Sequence, residues 1–137
     1  MQVQVRPLLI AILIAAAVGA LTGYRYDGGV NPNFSSGMHS LVALSGMLGA
    51  GIGTLFGFPL MLFPVRRFVL LRDLGIVLGI LVFAGLVGGL ILGPMGPMMG
   101  LMAAMIYPLH DPVVALAYVV GISLVLWLAH RTRQDQR

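Results

Sequence analysis

Four long apolar stretches, none with a charged residue in its centre, constrain this chain more than any other feature. A helix needs about 20 apolar residues, at 1.5 Å each, to cross the hydrocarbon core of a bilayer, which is about 30 Å thick. The stretches cover residues 7–23, 41–63, 74–93 and 113–129. They predict an all-α membrane protein with four transmembrane helices arranged as two hairpins. Because these helices use most of the 137 residues, a single integral membrane domain, 1–137, is expected.

The composition excludes several functional classes. Only 9% of the residues are charged, whereas soluble domains have about 25%. The absence of cysteine excludes disulfides, cysteine-ligated metal sites and a thiol nucleophile. The chain has no nucleotide-binding loop, no paired carboxylates and no HExxH motif, so we predict that it is not an enzyme. The lack of charged residues inside the apolar stretches argues against a proton-coupled transporter.

The first stretch has an alternative interpretation as a cleavable signal peptide. Arg6 supplies a positive start, and residues 18–20 (Val-Gly-Ala) resemble a small-residue cleavage site. The apolar stretch is long for a signal core, however, and this favours a retained helix.

The arginines predict the orientation of the protein, because cytoplasmic loops carry an excess of Lys and Arg. With four spans, both termini lie on the same side. That side would hold seven arginines: Arg6, Arg66, Arg67, Arg72, Arg131, Arg133 and Arg137. The opposite, outer side would hold only Arg25. We therefore expect both termini to be cytoplasmic, in a bacterial inner membrane. The net charge of +4 is explained by this asymmetry, and no nucleic-acid partner is predicted.

Glycines recur at intervals of four residues within the predicted spans, which places them on one face of each helix. Small residues on a helix face let another helix backbone approach closely, and such packing is a main source of helix association in lipid. The candidate packing residues are Gly19, Gly23, Gly49, Gly53, Gly57, Gly85, Gly89, Gly93 and Gly121. They predict a tight bundle. The partners of these faces are other helices of the same chain, a second copy, or other membrane subunits, and the pattern leaves these alternatives open.

The segment between the third and fourth spans, residues 94–112, is predicted to lie on the outer side. The pairs Gly93-Pro94 and Gly96-Pro97 end the third span, and Pro97 can open a new helix. We expect a short re-entrant or interfacial helix over about 97–107, which is too short to span a membrane. The neighbours His110 and Asp111 are more typical of a capped turn than of a catalytic dyad.

Five methionines fall within this outer segment, and a methionine and a histidine end the other outer loop. Thioether and imidazole ligands together suit Cu(I), a soft ion. The candidate ligands are Met38, His39, Met95, Met98, Met99, Met102, Met105 and His110. The spacing of Met98 and Met102 resembles the MxxxM motif of Ctr-type copper transporters, although the order of the surrounding helices differs. A haem site is disfavoured, because the histidines lie at the ends of the spans. The competing interpretation is that methionine fills gaps in the packing.

Three functional hypotheses follow from these patterns. The first is a non-enzymatic membrane protein that acts through glycine-mediated helix packing, as a homo-oligomer or as an accessory subunit of a larger membrane complex. The second is binding or transport of Cu(I) at the outer methionines and histidines. The third is a passive oligomeric pore for a small solute or ion, built around the broken segment 94–109.

Overall fold

A computed structural model describes residues 4–28 and 36–137 of the chain, and over these residues the protein is almost entirely helical. The five α-helices, numbered α1 to α5 in chain order, are Val5–Gly28, Ser36–Leu62, Val69–Gly89, Gly96–Met105 and Pro112–Asp135. A single 3-10 turn, Leu90–Leu92, extends α3, and another, Tyr107–Leu109, follows α4. No strand occurs in the described ranges.

Four helical segments are long and apolar enough to cross a membrane: Val5–Tyr26, Ser40–Leu62, Val69–Leu92 and Pro112–Asp135. The shorter apolar segment Gly96–Leu109 lies between the third and fourth of them. The prediction of an all-α membrane protein with four spanning helices and one short helix is therefore confirmed. Most large apolar side chains on the helix surfaces are exposed in the isolated chain. Surfaces of this kind are suited to contact with lipid.

Several helices extend beyond the bounds expected from hydropathy. The third spanning helix begins at Val69, five residues before the predicted start, and the fourth continues to Asp135, six residues beyond its predicted end. The residues added include Asp73 and Arg133, whose side chains form an ion pair with an Nη2–Oδ2 distance of 2.9 Å. Hydropathy alone placed Asp73 in a loop and Arg133 in the C-terminal tail. In the structure both residues lie within helices, and the ion pair between them compensates their charges.

The helices pack through small residues. Helices α1 and α2 form an antiparallel pair in which Gly19 lies against Gly46 and Gly23 against Val42. Helix α3 follows the other side of α2, with Gly49 against Ala84. Helix α5 packs on α1. We name the two ends of the bundle after the aspartates that lie there: the Asp73 end, predicted to be cytoplasmic, and the Asp111 end, predicted to be outer. Near the Asp73 end a core of fully or nearly fully buried side chains fills the bundle: Ala11, Phe58, Met61, Leu62, Val77, Val125 and Ala129.

Helix α4 reverses direction and returns along α3. The reversal occurs at Gly93, whose φ of 99° and ψ of −163° lie in a region that only glycine adopts readily. After the turn, Gly96 lies against Gly89 and Gly100 lies against Gly85. The two glycines of each helix are four residues apart, so both contacts lie on one face and bring the backbones of α3 and α4 together. The short helix therefore folds back on the third span.

Candidate functional site

A cavity of about 330 Å³ lies between the helices, and all five helices contribute to its wall. Small residues such as Ala15, Gly19, Ala84 and Ala103 form part of this wall, and branched aliphatic side chains form most of the rest. The cavity exists because small side chains face the centre of the bundle over the half nearer the Asp111 end. At the other end, the core around Phe58 and Met61 fills the equivalent space.

The polar groups of the cavity wall are hydroxyls, and most of them are hydrogen-bonded to backbone carbonyl oxygens. The Thr22 hydroxyl donates to the Val18 carbonyl oxygen at 2.8 Å, one turn earlier in α1. The Tyr118 hydroxyl donates to the Ala104 carbonyl oxygen at 2.9 Å and so links α5 to α4. The Ser45 hydroxyl donates to the carbonyl oxygen of Gly88 and links α2 to α3. Backbone hydrogen bonds thus engage the hydrogen of each of these hydroxyls.

Most of the predicted packing glycines meet another helix of this same chain. A methyl group at Gly19, Gly23, Gly49 or Gly89 would overlap a backbone carbonyl of the neighbouring helix. At Gly53, Gly57 and Gly121 it would meet an isoleucine or valine side chain from the adjacent helix, and at Gly85 it would meet the backbone of α4. Gly93 differs from the prediction, because nothing lies within 4 Å of it and its role is the turn before α4. The glycine faces therefore serve the internal packing of the bundle.

Two glycines of α3, Gly75 and Gly79, have no such neighbour. Nothing in the described chain lies within 4 Å of a methyl group built at either position. They are four residues apart, so they share one face of the helix. The leucines beside them, Leu71, Leu74 and Leu78, are exposed. This face of α3 is a shallow apolar groove that no described part of the chain covers.

The candidate copper ligands are only partly described. Met95, Met98, Met99 and Met102 are exposed on the outer segment, and the Met105 side chain is half-buried. His110 is exposed, with Nδ1 3.2 Å from the Ile106 carbonyl oxygen. The side chains of Met38 and His39 lie outside the described part of the chain, so their role as copper ligands stays a prediction. The described His, Asp and Glu residues form no group of three that would suit a metal ion.

The Asp111 end is held together by a buried carboxylate. Asp111 caps the N-terminus of α5 and accepts hydrogen bonds from the backbone amides of Val113 and Val114. The guanidinium of Arg25, at the end of α1, lies on the same carboxylate with an Nε–Oδ2 distance of 2.7 Å. The Tyr107 hydroxyl is 2.9 Å from Asp111 Oδ2 and 2.8 Å from the Arg25 carbonyl oxygen. The hydrogen bond from Arg25, helped by those from Tyr107 and the two amides, lowers the pKa of Asp111 to about 2.

The Asp73 end has a second buried carboxylate with two arginines. Arg72 Nη2 is 2.8 Å from Asp73 Oδ1, and Arg133 Nη2 is 2.9 Å from Oδ2. Both guanidiniums also donate to the Met61 carbonyl oxygen, and Arg72 donates to that of Phe63 as well. These carbonyls belong to the last turn of α2 and the residue after it, and they have no partner within the helix. The arrangement caps α2 and joins it to α3 and α5.

These two carboxylate networks are what the sequence patterns missed. One signal for the outer network was present: Asp111 precedes Pro112, and an aspartate before a proline at the first helical position is typical of a helix start. The expectation of a capped turn at residues 110–111 is accordingly confirmed. The partner arginines, Arg25 and Arg133, are 86 and 60 residues away from their aspartates. Only the tertiary arrangement identifies them.

Comparison with protein-family models, curated proteins and solved structures finds no match to this chain.

Proposed function

We propose that this protein is non-enzymatic and acts by packing against other helices within the membrane. In this proposal a second copy of the chain covers the groove at Gly75 and Gly79. Other membrane subunits, for which the protein would be an accessory, are the alternative partners. The observation that carries the proposal is the open face of α3, where two glycines four residues apart meet no described atom within 4 Å.

The internal use of the other glycines supports this choice. Gly49, Gly53 and Gly57 face α3, and Gly85 and Gly89 face α4, so these positions are already occupied by the chain itself. A partner helix would have to use a surface that the bundle leaves uncovered. Two identical faces with small-xxx-small spacing can pair about a twofold axis, with their backbones in close contact. The groove at Gly75 and Gly79 meets this requirement.

The absence of enzymatic activity is supported by the state of the buried acids. Asp73 and Asp111 are each paired with arginine, and Asp111 also accepts backbone amide hydrogen bonds. A carboxylate held in this way is poorly suited to act as a general base. The structure of the single chain gives less support to a pore than to packing. Its cavity has a mainly apolar wall, and the buried core around Phe58 and Met61 closes the bundle at the Asp73 end.

The test compares two kinds of lipid-facing substitution. The double variant Gly75→Leu/Gly79→Leu fills the groove on α3, whereas Ser123→Leu adds similar bulk to an exposed position on α5. Masses are measured by native mass spectrometry of protein extracted in a mild detergent. We expect a multiple of the chain mass for the wild type and for Ser123→Leu, and the mass of a single chain for the double variant.

Two results would contradict self-association. One is a wild-type mass equal to that of a single chain with no companion. The other is an unchanged oligomer in the double variant. A wild-type complex that contains one copy of this chain together with another membrane protein, and that dissociates in the double variant, would replace the homo-oligomer with the accessory subunit.

A further inference from the structure

The interhelical cavity is a site of its own, separate from the groove on α3. From its size, its lining and the buried, unsatisfied hydroxyl of Thr54, we infer that it binds a single lipophilic alcohol. The hydrocarbon part of the ligand lies among the small and aliphatic side chains, and the ligand hydroxyl meets Thr54. This site is independent of self-association, because none of the residues that line it belongs to the open groove at Gly75 and Gly79.

The size of the cavity suits a small apolar molecule. Pockets that bind small ligands run from about 300 to 1,000 Å³ and have mainly apolar walls with a few polar groups. At about 330 Å³ this cavity lies at the lower end of that range. A methylene group is close in size to a water molecule, which occupies about 30 Å³ in the liquid. The cavity therefore holds a chain of about ten carbon atoms.

The lining indicates a ligand without charge. No Asp, Glu, Lys, Arg or His is among the described residues that form the wall. Transfer of an isolated carboxylate or ammonium group into such surroundings is strongly unfavourable. Arg25 and Asp111 are not part of the wall, and they form an ion pair with each other. A neutral ligand is therefore preferred to a fatty acid or an amine of the same length.

Thr54 supplies the polar contact. Thr54 is one of the residues that line the cavity, and it is only 2% exposed. Within the described ranges its hydroxyl makes no hydrogen bond, in contrast to those of Thr22, Ser45 and Tyr118, which donate to backbone carbonyls. An unpaired hydroxyl in apolar surroundings is costly. A bound group that meets Thr54 removes this cost.

The chemistry of a hydroxyl narrows the class of ligand. Thr54 can donate one hydrogen bond and can also accept one. A carbonyl or ether oxygen satisfies only the donor, and a hydrocarbon satisfies neither. An alcohol can satisfy both, so it suits this position best. A buried water is the competing occupant, but it would need two to four polar partners, and the cavity wall is mainly apolar.

The experiment uses three probes with the same chain length: 1-decanol, decane and decanoate. Each is titrated into the purified full-length protein in non-ionic detergent, and one-to-one complexes are counted by native mass spectrometry. The shift of the melting temperature with probe concentration gives the apparent affinity. We expect saturable binding of one decanol per chain, weaker binding of decane and no stabilisation by decanoate.

Three variants locate the site. Thr54→Val keeps the side-chain shape and removes the hydroxyl, so decanol should bind about two- to tenfold more weakly while decane is unaffected. Ser123→Ala removes an exposed hydroxyl and should change neither. Ala103→Phe adds bulk to the cavity wall and should abolish both complexes. Each variant is first compared with the wild type for its melting temperature without probe, so that loss of fold is recognised.

Two outcomes overturn the inference. Equal binding of decanol to Thr54→Val and wild type, with both proteins folded, would show that Thr54 recognises no alcohol. Failure of decanol to form a saturable one-to-one complex with the wild type would show that the cavity is only a gap in the packing. Neither outcome would affect the proposed self-association, which is measured by mass and depends on Gly75 and Gly79.

Discussion

Asp73 and Asp111 are buried acids in a protein with very few charges, and each is 7% exposed or less. Burial of a charged group is costly unless it is paired and hydrogen-bonded. Each aspartate meets this requirement with an arginine from another helix, Arg25 for Asp111 and Arg133 for Asp73. Because desolvation of the charges offsets much of the attraction, the main effect of these ion pairs is on the relative positions of the helices. They fix where the helices end relative to one another.

The Asp111 pair predicts a defined dependence of stability on pH. Because the pKa of Asp111 is lowered from 3.8 to about 2 in the folded protein, its stabilising effect is fully present above pH 4. It is lost as the pH falls from about 4 to 2, where the folded protein also takes up the proton. We expect Asp111→Asn to lower the melting temperature in detergent at pH 7 by several degrees. We also expect it to remove this part of the acid dependence.

The control for this measurement is Asp135→Asn, which changes an exposed aspartate at the end of α5. It should leave both the melting temperature and its pH profile close to those of the wild type. If Asp111→Asn and Asp135→Asn behave alike between pH 7 and pH 2, the pairing of Asp111 with Arg25 does not stabilise the fold.

The copper hypothesis also belongs to single residues and stays a prediction. The exposed thioethers of Met98 and Met102 lie on α4, and His110 follows it. If these groups bind Cu(I), protein purified under reducing conditions with added Cu(I) should retain about one copper per chain. The triple change Met98→Ala/Met102→Ala/His110→Ala should abolish retention. Elemental analysis that finds no copper above background in the wild type would reject the hypothesis.

At the scale of helices, glycine determines which pairs come close. The contact between α3 and α4 has glycine on both sides, at Gly85 with Gly100 and at Gly89 with Gly96. Without side chains in between, the two backbones touch, and the short helix is held against the third span from Gly96 to Leu101. Such contacts are sensitive to a single added methyl group, because the atom that must move is a backbone carbonyl.

A matched pair of substitutions tests this distinction within one helix. Gly89→Ala would place a methyl group on the Gly96 carbonyl oxygen, so we expect a loss of about 2 kcal/mol or more in the free energy of unfolding. Gly79→Ala meets open space and replaces glycine by a better helix former. In protein diluted until it is monomeric, it should be neutral or stabilising by up to about 1 kcal/mol. Thermal or denaturant unfolding in detergent measures both.

Equal effects of the two substitutions would contradict the direct backbone contact between α3 and α4. Both variants are measured at a concentration low enough to keep the protein monomeric, because association through the groove at Gly79 would shift the apparent stability.

The spans, the end of the third span at Gly93-Pro94 and the short helix were predictable because each depends on consecutive residues. Apolar runs of about 20 residues predict spanning helices, and Gly-Pro pairs predict where α3 ends. The cavity was not predictable, since it results from small residues of five helices that face one point. The partners of Asp73 and Asp111 were missed for the same reason. Four-residue glycine spacing also could not tell Gly53, which faces α3, from Gly79, which faces outward.

At the scale of the molecule, the four spans place Gln4 and Arg137 at the same end of the bundle. The positive-inside rule predicts that this end, which carries Asp73, is cytoplasmic. The chain has no cysteine, so single cysteines can report the topology directly. We expect Asn33→Cys to react with a membrane-impermeant maleimide in intact spheroplasts, and Gln136→Cys to react only after lysis. Labelling of Gln136→Cys in intact spheroplasts would reverse the orientation.

The two carboxylate networks share one helix, and this has a consequence for biosynthesis. Helix α5 is tied to α1 by Asp111 and Arg25 at one end, and to α2 and α3 by Arg133 at the other. A ribosome makes α5 after the other four helices. Asp73 and Arg25 therefore enter the membrane region before their partners, Arg133 and Asp111, have been synthesised. Until then the flank beside the cavity stays open to lipid. The ion pairs to α5 therefore form late in assembly, when α5 packs against the other helices and completes both ends of the bundle.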